Sequence, residues 1–170
     1  MHRVRKSALS IVFLWTTLSV TLLGATSASA THEGFIHYEL PAGLGCDFAL
    51  GVEIRGGTQV SREFTDKDGN LVTLAAGKGS ENTYINLETG ETFIQKAAGS
   101  VTQITHYPDG SSEWVTTGQN SLILFPSDVP AGPSTTLTAG RVVFTIGTDG
   151  VFTVTEISGK TTDICAELSS

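Results

Sequence analysis

The stretch "DFALGVEIRGGTQVSREFTDKDGN", residues 47–70, sets the rhythm of the chain. Phe48, Leu50, Val52 and Ile54 alternate with Ala49, Gly51, Glu53 and Arg55. A period of two places the first set on one face of a β-strand and the second on the other, since strand side chains alternate strictly. We therefore expect the apolar four to face inward. A slip of one residue would bury Glu53 and Arg55 and expose four large apolar groups. "RGGT" then breaks the strand, and "QVSREFT" follows, rich in residues that pack on a pleated surface. "DKDGN" closes the stretch.

Working outward, the same punctuation recurs. Asp-Gly or Thr-Gly signals stand at "DKDGN", "ETGE", "PDGS" and "TDGV", with glycines at 69, 90, 110 and 150. A second set of breakers lies between them: "RGGT" (55–58), "AGKGSE" (76–81), "AAGS" (97–100), "TTGQN" (116–120), "TAGR" (138–141) and "SGK" (158–160). Alternating breakers every ten or so residues predict short strands turning at the two ends of a sheet. The intervening segments are β-branched and aromatic, and no amphipathic helical pattern follows residue 30. "LVTLAA" and "SLILF" are apolar on both faces and are expected to be covered on both. A single helical turn is expected at "TDICAEL", capped by Thr162.

"FTDKDGNLV" also raises the question of calcium, because Asp66 and Asp68 stand at i and i+2 before Gly69 and Asn70. A complete calcium loop needs a glutamate at its twelfth position, and that position, counted from Asp66, is Gly77. The stretch reads as a hairpin tip, where Asp-Gly supplies a positive φ at little cost.

The beginning of the chain predicts export. Arg3, Arg5 and Lys6 precede an apolar run, and small residues Ala28 and Ala30 follow it, the pattern of a signal peptide over 1–30 cleaved near Ala30. Residues 31–45 read as a tail and 46–170 as one β domain. Removing the leader takes three of the ten basic residues and none of the seventeen acidic ones, leaving seven against seventeen and a net charge of −10. Such a surface argues against nucleic acid and anionic membranes as partners. In an oxidising compartment Cys46 and Cys165 have one possible intramolecular pairing. That bond would bring the start and end of the meander together. We expect an all-β antiparallel meander of eight to ten strands, closed as an up-and-down barrel, with an open sandwich as the alternative.

The sequence carries no nucleophile elbow, no H-E-x-x-H and no phosphate loop, so no catalytic, cofactor or metal residues are assigned. Lys78 in "AGKGSE" reads as part of a solvated turn. His32 and His37, with Glu33 or Glu39, are spaced for neither one helical face nor one strand face, and His106 reads as a solvent-facing strand end. Glu53 and Glu63 are candidates for a carboxylate pair only if their strands bring them together; pairing with Arg55 and Arg62 is the default. The aromatic residues Tyr84, Phe93, Trp114, Phe144 and Phe152 lie in strands, where they either fill the core or line a ligand cavity.

The "CDF" start, "FTDKDGN", "AGRVVF" and "ICAEL" together resemble small secreted β-rich proteins of unknown function in actinobacteria. The resemblance implies a secreted β domain with one disulfide and brings no site residues. The function expected is a non-enzymatic binding module for a small apolar ligand or an extracellular partner. The alternatives are a cavity enzyme of cyclase or hydrolase type, or a structural protein of the cell envelope.

Overall fold

The computed structural model describes residues 35–170; the expected signal sequence over 1–30 with its expected cleavage near Ala30, and His32 and Glu33, lie outside the described residues. Ten strands precede one short helix: β1 (Phe35–Leu40), β2 (Leu50–Arg55), β3 (Thr58–Thr65), β4 (Leu71–Lys78), β5 (Glu81–Asn86), β6 (Thr92–Gln95), β7 (Gly99–His106), β8 (Ser112–Leu124), β9 (Ser134–Ile146), β10 (Phe152–Asp163) and α1 (Ile164–Glu167). They form two antiparallel sheets, a small one in the order β1-β2-β5-β6 and a large one in the order β10-β9-β8-β7-β4-β3. Part of the expected tail is thus a strand: β1 pairs along its whole length with β2.

The expected ring of sequential hairpins is not what the pairing gives. The chain leaves the small sheet after β2, makes β3–β4 in the large sheet, returns for β5–β6, and re-enters the large sheet at β7. The breakers "RGGT", "AGKGSE" and "AAGS" are these crossings. Gly56 and Gly57 take φ of 65° and 96°, which lets the chain change sheets instead of folding β3 back on β2. Hydrogen bonding therefore leaves two open sheets among the described residues, as in the sandwich alternative.

The first set of turn signals behaves as read. Gly69, Gly90, Gly110 and Gly150 all have positive φ, and each sits at the tip of a hairpin. The remaining breakers do not end strands. β8, β9 and β10 run through Gly118, Gly140 and Gly159 and reach 13, 13 and 12 residues. In register these glycines face one another, and the line continues through Ser100 and Gly77 to Gln59. Where a side chain would start, the neighbouring backbone already stands. A Cβ on Gly118 would lie 2.4 Å from the Gly99 carbonyl oxygen, and one on Gly140 would lie 2.0 Å from that of Ser158. The row is a crease across the large sheet, and at Gly77, Gly118, Gly140 and Gly159 it leaves no room for a side chain.

Two cores lie along the large sheet, and the second spans the crease. On one side of it, the start of β9 packs against the small sheet and α1, where Cys46, Phe48, Leu50, Val52, Tyr84, Ile164 and Leu168 are buried and Leu137 joins them. The disulfide Cys46–Cys165, with Cα atoms 5.6 Å apart, fastens this core to the C-terminus. Thr135 Oγ1 donates to the Gly45 carbonyl at 2.9 Å on the same side. The helical turn is capped by Asp163, which accepts from the Ala166 N–H, one residue later than the Thr162 expected. The second core, Leu122, Leu124, Val142 and Phe144 with Trp114, Ile146, Phe152 and Val154, lies on the large sheet.

The inward set on the first strand is Phe48, Leu50 and Val52, all buried, with Ile54 half-buried as the strand leaves the core. Its outer face is less open than expected: Gly51 is buried beneath Leu87, and Glu53 is half-buried. "SLILF" is covered as expected over Leu122–Leu124, but in "LVTLAA" Leu71 and Leu74 are exposed. Val72 and Ala75 are buried, one on each face, so β4 is only partly covered beside β3, an edge strand exposed at every residue.

Candidate functional site

The five aromatic candidates divide between the two cores. Tyr84 and Phe93 belong to the small-sheet core, with ring centroids 6.4 Å apart. The Tyr84 hydroxyl donates to Ser121 Oγ, which in turn donates to Gln95 Oε1, and burial pushes its pKa above the ordinary value. These two residues pack a core and do not line the pocket that Phe144 and Phe152 line.

Trp114, Phe144 and Phe152 come together. The register brings Trp114 opposite Phe144 across β8 and β9. Phe144 stacks on Trp114 at 5.6 Å and on Phe152 at 5.1 Å, with interplanar angles of 18° and 19°. The Trp114 indole N–H donates to Ser112 Oγ at 2.9 Å, so its polar edge is satisfied within the strand. Above this stack, in the bend of the sheet, lies a pocket of about 290 Å³. β8 lines it on both sides of Gly118, through Thr116 and through Asn120–Ile123; β9 adds Thr138, Val142 and Phe144, and β10 adds Phe152. Trp114 supports the pocket from behind Phe144.

Loop 125–133 anchors this side of the molecule. Asp128 is buried and accepts from the Phe125 N–H at 2.6 Å and the Phe152 N–H at 3.2 Å. Val129 then bridges β10, donating to the Phe152 carbonyl at 2.8 Å and accepting from Val154 N–H at 2.7 Å. Asp128 thus fixes the backbone of an aromatic residue that lines the pocket.

The pocket's polar groups are few, and most are engaged. Thr138 Oγ1 donates to the Asn120 carbonyl at 3.0 Å, and Ser121 Oγ bonds with Tyr84 and Gln95. Asn120 Nδ2 is buried with no hydrogen-bond partner among the described residues. No residue lining the pocket carries a titratable side chain.

Of the lining residues, only Phe144 and Phe152 were singled out from sequence. Asn120 stood in "TTGQN", read as a turn. The signal that distinguishes it is the run of strand formers on both sides of Gly118, which makes a single glycine a bend rather than an end.

The polar candidates are dispersed. Glu53 lies in the small sheet, 3.0 Å from Arg55, whereas Glu63 lies in β3 of the large sheet opposite Thr73; no hairpin joins them. His37 reaches Glu39 at 3.3 Å on β1, and His106 meets Thr73 at 3.2 Å on an exposed strand end. At the "DKDGN" tip, Asp66 accepts from the backbone N–H groups of Asp68 and Asn70 and from the Asn70 amide. Those bonds hold the carboxyl below its usual range and occupy both oxygens in the turn. Among the described residues no group of three His, Cys, Asp or Glu side chains is placed to hold a metal ion. A second cleft of about 270 Å³ lies beside the disulfide, lined by Asp47, Ser134 and Asp163 among others.

Among the described residues no helix is long and apolar enough to cross a membrane. Compared with protein-family models, with curated proteins and with solved structures, the chain matches none.

Proposed function

We propose that the chain is an exported β domain that binds one small apolar molecule in the crease of its larger sheet. The observation that carries this reading is the pocket itself: a concave, largely apolar space over a stack of aromatic rings, of a size suited to a compact ligand. Its lining of Thr, Asn, Ser, Leu, Ile, Val and Phe supplies no acid, base or nucleophile pair, which favours a binding module over a cyclase or hydrolase. Export is supported by the leader pattern in the sequence and by the disulfide, a bond that persists in oxidising compartments.

Trp114 makes the reading testable. The only other tryptophan is Trp15, within the leader, so the processed protein has one tryptophan, stacked on a residue of the pocket wall. Titration with a naphthalene derivative should quench or shift Trp114 emission in a saturable manner. Phe152→Ala should weaken binding strongly. Phe93→Ala, in the other core, should leave the affinity unchanged in whatever fraction remains folded. Equal loss in both variants, or no saturable binding, would remove the assignment.

A further inference from the structure

We infer that β3 is a docking edge for an extended acidic segment of an extracellular partner. The segment adds a strand to the large sheet, with apolar residues beside Val60 and Phe64 and a carboxylate opposite Arg62. This site shares no residue with the pocket in the crease. Four strands form the edges of the two sheets. β6 has four residues and is followed by Lys96. β10 carries a bulge between Val154 and Glu156 and is bridged near its start by Val129. β1 has six residues, and the Arg55 guanidinium lies over its Phe35 ring at 4.8 Å. β3 is eight residues long, pairs with β4 in unbroken register, and contains no proline or lysine. Its outer side has no sheet partner, and all its residues are exposed. Bulges, lysines and short length are what keep an edge from accepting a further strand, and β3 has none of them.

The side chains say which strand would fit. Val60, Arg62 and Phe64 alternate onto one face, and Val60 is 70% and Phe64 50% exposed. The register continues this face to Leu74 and Ala76 on β4 and to Val101 on β7, all exposed. Over these three strands its only charged residues are Arg62 and Lys78, in a chain with seventeen acidic residues against ten basic ones. No ion pair among the described residues includes Arg62. An apolar strip centred on a guanidinium complements a strand of pattern apolar-x-acidic-x-apolar, because residues two apart share a face. A second copy of the chain fits less well. Paired antiparallel about the middle of β3, it would set Arg62 opposite or diagonal to its own counterpart, and like charges there are destabilising.

The peptide Thr-Val-Thr-Glu-Thr-Val-Thr, capped at both ends, tests the inference, since its pattern reads the same in either direction. In an NMR titration of the processed protein it should shift the amide signals of Thr58–Thr65 and leave those of β1 and β6 in place. Replacing its glutamate by lysine should weaken binding about fivefold, and Arg62→Glu should reverse the order of the two peptides. Arg62 is exposed, so this variant should fold like the wild type. N-methylation of one alternating set of peptide nitrogens should abolish binding, while methylation of the other set should not, because only one set faces β3. No shift in β3 at millimolar peptide would overturn the docking edge. An unchanged order of the peptides on Arg62→Glu would overturn the acidic class. Binding indifferent to both methylations would overturn strand addition. A dimer joined through β3 in sedimentation would replace the partner by a second copy and overturn the choice of occupant.

Discussion

Gly118 and Gly140 face each other across β8 and β9 at the bend of the large sheet, and neither has room for a side chain. Gly118 has φ of 96° besides, a region L-residues avoid. Gly118→Ala should therefore combine backbone strain with a collision against the Gly99 carbonyl and cost more than about 2 kcal/mol. Gly110→Ala is the comparison. Its φ is 91°, but the nearest atom to a new Cβ is the Thr148 methyl at 3.9 Å, so it should cost only about 1 kcal/mol. Urea denaturation of the two variants separates strain from collision; equal losses would show that the crease is not tight.

The same two glycines show how far the sequence could be read. Period-two alternation and the four Gly-containing tips report local chemistry, and the strands, the tips and the all-β class followed from them. Whether a glycine ends a strand or bends it is decided by which neighbour lies across the sheet. Gly118 meets Gly140 only after 21 intervening residues have folded back, so "TTGQN" and "TAGR" looked like turns. The crossing at Gly56 and Gly57 is a similar case, and it is why Glu53 and Glu63 separate instead of pairing. The aromatic candidates were named correctly as strand residues, but their division into Tyr84–Phe93 and Trp114–Phe144–Phe152 depends on that crossing. The inward face of β2 was legible because burial of a regular strand needs no distant information.

The disulfide joins residues 119 positions apart and ties the small-sheet core to α1. In the chain-entropy description, opening so long a loop in the unfolded state removes about 4–5 kcal/mol of stability. Thermal melting with and without reductant should show one large downward shift. Non-reducing peptide mapping should give a single Cys46–Cys165 fragment.

Tyr84 should set part of the alkaline limit. Burial keeps its phenol neutral to higher pH than in the unfolded chain, where the ordinary value is 10.0. Its contribution is complete below that value and is lost as pH rises through the folded-state pKa. Tyr84→Phe removes the hydrogen bond to Ser121 and should cost about 1 kcal/mol at pH 7. The variant should also lose stability less steeply above pH 10. Tyr38 and Tyr107 are raised as well, so the slope should diminish rather than vanish.

On β2, Leu50 is fully buried and Glu53 lies beside Arg55 at a half-exposed position. Leu50→Asp buries a carboxyl without a partner and should cost more than about 3 kcal/mol, enough to abolish a cooperative unfolding transition at 37 °C. Glu53→Gln weakens a surface ion pair and should cost less than about 1 kcal/mol. Denaturation midpoints check both, and comparable losses would show that the strand is in another register.

Asp128 offers the sharpest contrast between two substitutions of one carboxylate. It accepts a hydrogen bond on each oxygen, from Phe125 N–H and from Phe152 N–H, and it is buried. Asp128→Ala strands both donors and should cost about 2–4 kcal/mol. Asp128→Asn keeps one acceptor but turns an NH₂ group toward one of the two N–H groups, so it should be nearly as harmful despite its similar shape. In both variants loop 125–133 loses its tether to β10. Limited proteolysis should then cut within 125–133 while the disulfide-linked core stays protected. Because Phe152 lines the pocket, the naphthalene titration should weaken in parallel with the appearance of the cut. A variant that is cut readily yet binds the probe with undiminished affinity would show that the loop does not hold Phe152 in place, and the ligand site would then owe its shape to the crease alone.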